Sequence, residues 1–132
     1  MKRILIFLML SAVLLAGCTT QTAQPTEPTE TAQLDEQLVL VGTWRNEGQY
    51  SEGHEFVETM TLDRGGVCTI HLEYQGSDYQ TLEGTYIVSD GMLYTALDDN
   101  GNTVNRNFKY TLDGDTLLLE SANKEVTYLR VD

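Results

Sequence analysis

Few side chains in this chain are equipped for chemistry. Beyond its many carboxylates they are His54, His71, Cys18, Cys68 and Arg106. A zinc centre or a catalytic triad needs histidines that converge with further ligands. No ligand spacing joins His54, at a loop–strand junction, to His71, on the polar face of a strand, and both read as surface residues. Cys68 falls on the apolar face of its strand and reads as a buried structural thiol. Asp98-Asp99-Asn100-Gly101-Asn102 has the composition of a calcium loop but not its order. Such a loop puts Gly sixth and Glu twelfth, whereas Gly101 is fourth and position twelve is Lys109. The segment reads as a hairpin turn. No Gly-x-Ser-x-Gly, phosphate loop or paired-carboxylate motif is present. These patterns predict a protein that is not an enzyme and that uses no cofactor or metal.

Charge excludes more. The 132 residues carry 8 basic against 20 acidic side chains, a formal net charge of −12. Nucleic-acid binding needs a basic surface to meet phosphate, so that class is excluded, as is an electrostatic grip on anionic lipid.

Lys2 and Arg3 precede an apolar run from Ile4 to Leu15, too short for a membrane span of about 20 residues. The run ends at Leu15-Ala16-Gly17-Cys18. This resembles the lipobox of bacterial lipoproteins, where a thiol flanked by small residues receives a diacylglycerol and the chain is cut before it. The resemblance implies a signal peptide over 1–17 and an acylated Cys18 as first mature residue. Each buried acyl CH₂ contributes about 0.8 kcal/mol, so two or three chains anchor stably. Residues 19–37 are Thr, Gln, Ala, Glu and Pro with almost nothing apolar, and hold both prolines, Pro25 and Pro28. Such a stretch cannot offset its ordering entropy, which predicts a disordered tether. Leu34, Leu38 and Val41 have the spacing of a short helical turn before the domain.

The domain, 38–132, alternates period-2 runs with turn clusters, the signature of serial hairpins. The expected strands are Val39–Glu47, His54–Asp63, Val67–Gln75, Tyr79–Val88, Met92–Asp98, Thr103–Leu112, Thr116–Ser121 and Glu125–Val131. Short connections make sequence neighbours antiparallel neighbours. Eight strands leave two open edges unless the sheet closes. The fold class predicted is therefore all-β, an eight-stranded antiparallel up-and-down barrel. Arg106 shares a face with Val104, Phe108, Tyr110 and Leu112, and Val126, Tyr128 and Arg130 share another. Arg106 could meet an anionic ligand head, or reach solvent, or pair with Glu58 on the second strand.

Gly42-Thr43-Trp44 resembles the Gly-x-Trp motif of lipocalins and their relatives. The order Gly-Thr-Trp, an acidic turn with Gly, then Tyr110-Thr111-Leu112-Asp113-Gly114-Asp115-Thr116-Leu117 is similar to the small lipocalin-like domains of bacterial lipoproteins. The resemblance implies that Trp44 packs across one barrel end with Arg130 over its indole, a cation–π contact of about 0.5–2 kcal/mol. It also implies an interior ligand site, for which Arg106, Phe108, Tyr110 and Tyr128 are the candidates.

The leading expectation is a monomeric, lipid-anchored envelope protein on the extracytoplasmic side, binding a small hydrophobic ligand or a partner. An inhibitor of a cationic protein such as lysozyme, acting through the acidic surface, is the second. A filled barrel with a purely structural role is the third.

Overall fold

A computed structural model of the protein describes residues 30–132, with side-chain placement from Leu34. The expected signal peptide, Cys18 and the tether as far as residue 29 lie outside the described residues. A helix, α1 (Glu30–Leu40), precedes eight strands: β1 (Gly42–Ser51), β2 (His54–Leu62), β3 (Val67–Tyr74), β4 (Ser77–Ser89), β5 (Met92–Asp99), β6 (Asn102–Asp113), β7 (Thr116–Ser121) and β8 (Lys124–Arg130). The strands form one closed antiparallel barrel in sequence order. Among the described residues no helix is long and apolar enough to cross a membrane.

Turn chemistry explains the hairpins. Gln75, Asp90 and Asn100 all adopt positive φ, and each is followed by a glycine that does the same. That pair matches the right-handed twist of the flanking strands. Alternation then divides the side chains. Met60, Leu62, Cys68, Ile70, Leu82, Val88, Leu93, Leu97, Leu117 and Leu119 are buried inside with Trp44, Tyr86 and Tyr128.

The barrel is zipped unevenly. β1 pairs with β2 along almost its whole length, but it meets β8 only through Trp44↔Arg130 and Arg45↔Leu129. One further bond, Val131 N–H to the Thr43 carbonyl at 2.9 Å, extends the same end. The seam is thus tight beside α1. Towards Ser51 and Lys124 no cross-strand register is formed between β1 and β8.

The helical turn expected from Leu34, Leu38 and Val41 is realised as α1, which begins at Glu30, within the segment read as tether, and ends at Leu40, so that β1 starts at Gly42 and not at Val39. Tertiary contacts override the local composition. The helix does not pack through Leu34 and Leu38, which are exposed. It packs through Glu36 and Leu40, positions i and i+4 of one face. Leu40 is fully buried, and the Glu36 carboxylate accepts from the Gly91 N–H at 2.7 Å, the Asp90 N–H at 3.2 Å and the Tyr110 hydroxyl at 2.8 Å.

Candidate functional site

The closed end is built around one cation. Arg130 Cζ lies 4.2 Å from the centroid of the Trp44 ring. Its guanidinium also donates to the Val41 carbonyl at 2.7 Å and the Val39 carbonyl at 3.1 Å. The last carbonyls of a helix have no intrahelical partner and carry partial negative charge, so a cation there caps α1. Trp44 completes the lock by donating Nε1–H to the Leu40 carbonyl at 2.9 Å. Gly42 has to be glycine, because it takes φ +147° and a Cβ would fall onto the Arg130 guanidinium. Helix, indole and guanidinium together plug this end.

Midway up the interior is a polar group. The Tyr128 hydroxyl donates to the Glu58 carboxylate. Arg106 forms no ion pair with Glu58 within 4.0 Å among the described residues; Tyr128 is the partner instead. Burial, and then the neighbouring Glu58 carboxylate, push the Tyr128 hydroxyl well above its ordinary range, so it stays a donor.

Burial also pushes the Cys68 thiol up to about 12, opposed by Arg106 and reinforced by Glu58. The unfolded thiol ionises near 9. The stability due to keeping it neutral is therefore complete below about pH 9, and is lost as pH rises from there towards 12. Alkylation of Cys68 by iodoacetamide at pH 8.5 should accordingly be negligible in buffer and rapid in urea above the unfolding midpoint. Fast labelling of the native protein would contradict a buried, protonated thiol.

The opposite end is open. A hollow of about 570 Å³ there is lined by Tyr50, Phe56, Glu58, Leu72, Glu73, Tyr74, Tyr79 and Lys124. It lies where the β1–β8 seam has parted, with Tyr50 on one side of the gap and Lys124 on the other. Tyr74 packs against His54 and Tyr79, with ring centroids 5.8 and 6.3 Å apart. The volume falls within the range of small-molecule sites, and four aromatic rings with the Glu58 carboxylate and one ammonium are a usual mixture for one. A second hollow of about 570 Å³ is lined by Tyr79, Gln80, Thr81, Asp98, Asp99 and Asn100, so its only aromatic wall is the Tyr79 ring and the rest is polar.

The sequence-derived ligand set is not brought together at the open end. Tyr110 stands at the closed end, where its hydroxyl latches Glu36 of the helix. The Tyr128 hydroxyl is committed to Glu58. Arg106 and Phe108 are half-buried on the inner face of β6, and neither lines the hollow. Of the group around Arg106, only Glu58 reaches it. Of the rim aromatics, Phe56 and Tyr74 are cross-strand partners, whereas Tyr50 and Tyr79 are the residues skipped by the pairing of β1 with β2 and of β3 with β4; no sequence periodicity brings these four together. The acidic turn is committed too. Asp98 accepts from the Gly101 N–H at 3.1 Å, and Asp99 accepts from the Gln80 amide at 2.8 Å and the Asn100 amide at 2.9 Å.

A small up-and-down β-barrel, plugged by a helix at one end and hollow at the other, is the class that fold and site define. No family model and no curated protein matches the chain in sequence.

Proposed function

We propose that the chain is a bacterial envelope lipoprotein whose lipocalin-like barrel binds a small ligand with an apolar body at its open end. The anchor is read from Leu15-Ala16-Gly17-Cys18 behind its apolar run. An N-terminal lipid places the domain outside the cytoplasm, tethered to the membrane through Cys18. The observation that carries the binding reading is the aromatic hollow at the parted seam. A purely structural barrel has no reason to leave Phe56, Leu72 and Tyr74 only half-buried around a cavity while the other end is sealed with a helix.

The test uses detergent-extracted full-length protein. Native mass spectrometry should show a chain beginning at acylated Cys18. Titration with the neutral probe N-phenylnaphthylamine should give saturable binding in the wild type. Leu72→Glu, which sets a charge inside the hollow, should weaken that binding at least about tenfold, the effect of roughly 1.4 kcal/mol. Equal binding by both proteins, or none by either, refutes the cavity reading. Salt-sensitive binding of lysozyme without probe binding would instead favour an acidic docking face.

A further inference from the structure

We propose that the outer face of the β3–β4 hairpin is a binding site for a divalent transition-metal ion, zinc being the natural occupant, with His71, Glu73 and Asp78 as its ligands. One ligand atom from each of the three lies within 4.8 Å of the other two. His71 Nε2 is already 3.1 Å from Asp78 Oδ1. Zinc–nitrogen and zinc–oxygen bonds of about 2.0–2.2 Å set tetrahedral ligand atoms about 3.3–3.6 Å apart, so rotation of the two carboxylates suffices to close the set.

Three features point to an ion rather than to a chance cluster. The first is a bulge. Leu72 pairs with Gln80, but the next pair is Glu73 with Asp78, so Tyr79 is an extra residue in β4. Regular pairing would set Glu73 opposite Tyr79 and turn Asp78 inward with Gln80. The extra residue instead re-aims Asp78 to the outer face that holds His71 and Glu73, a use to which bulges are put beside functional sites. The second is repulsion. Glu73 and Asp78 are direct cross-strand partners, and like charges in that relation destabilise a sheet unless a cation joins them. The third is orientation. The other imidazole nitrogen, Nδ1, lies 3.0 Å from the Thr81 hydroxyl. Without an ion Nε2–H donates to Asp78 and Nδ1 can accept from the Thr81 hydroxyl; on loading, Nε2 would lose its proton to face the ion and Nδ1–H would donate to Thr81, the arrangement in which metal-binding histidines are commonly held.

The donor set decides the ion. Imidazole suits zinc, nickel and copper, whereas magnesium and calcium take oxygen ligands and retain water. Three protein ligands leave a fourth tetrahedral position for water or for a donor from a partner. The net charge of −12 raises the local concentration of cations around the whole domain.

The test is isothermal titration of the detergent-extracted full-length protein with zinc chloride, with magnesium chloride as a parallel arm. Saturable binding of one zinc per chain, and no comparable magnesium binding, is expected. His71→Ala and the double variant Glu73→Gln/Asp78→Asn should each weaken zinc binding at least about tenfold, and Thr81→Val should weaken it by a smaller factor. All four positions are on the outer face, so near-ultraviolet circular dichroism should match that of the wild type. The double variant should also melt no lower than the wild type without zinc, since it removes two like charges that face each other across the hairpin. Absence of saturable zinc binding to the wild type overturns the site. So does zinc binding of unchanged strength in His71→Ala, which would mean adventitious binding to surface carboxylates.

Discussion

Arg130→Met should cost about 3 kcal/mol of stability. The methionine keeps much of the apolar stem and removes everything else. A cation–π contact of about 0.5–2 kcal/mol is lost over Trp44. The partly buried carbonyl of Val41 loses its charged donor, which costs about 1 kcal/mol or more, while the exposed carbonyl of Val39 exchanges its donor for water at a smaller cost. The Asp115 and Asp132 carboxylates lie 3.8 and 3.9 Å away and are exposed, so they add little. Arg130→Lys should fall between wild type and Met. It keeps the charge, but an ammonium cannot span two carbonyls while lying flat on an indole. Urea unfolding followed by fluorescence of Trp44, the sole tryptophan, measures both variants. A Met variant within about 0.5 kcal/mol of wild type would mean that α1 is held by Leu40 and Glu36 alone.

The same residue shows where sequence reasoning stops. Period-2 alternation and the turn residues locate eight strands, because each signal is local and each turn has the residue that its φ demands. The start of β1 is different. Val39-Leu40-Val41 is an apolar, β-branched run that composition assigns to a strand. It ends a helix because Arg130, about ninety residues away in sequence, holds its carbonyls and because Leu40 fills the barrel end. The ligand candidates are spread along the barrel for a related reason. Alternation says that Arg106, Phe108, Tyr110 and Tyr128 point inward, but not at what height. Tyr110 sits at the sealed end beside Glu36, whereas the hollow is at the other end of β6. The bulge at Tyr79 has no glycine or proline to announce it, so the meeting of His71, Glu73 and Asp78 is a property of register alone.

Closing so short a sheet also demands close backbone approach, and that demand falls on Gly84. This residue lies within β4, the longest strand, between its partners Cys68 on β3 and Leu97 on β5. A Cβ at Gly84 would run into the Ala96 carbonyl oxygen and stand 2.9 Å from Leu97 Cα. Both obstacles are backbone in a paired strand, so neither can swing away as a side chain does. Gly84→Ala should therefore cost 3 kcal/mol or more, at the upper end of overpacking effects of about 1–3 kcal/mol. For a domain of this size that corresponds to a fall in Tm on the order of 15 °C. Gly48→Ala is the matched control. Its Cβ would meet only the Phe56 ring, at 2.8 Å, and that ring can turn into the adjoining hollow. The control should cost clearly less, and should perturb the open end rather than the closed one. Thermal melts of the two variants, with Trp44 fluorescence reporting on the helix-plugged end, separate the cases. If Gly84→Ala melts within a few degrees of wild type, β4 and β5 do not approach closely there, and the sharp coil of the sheet must be borne elsewhere.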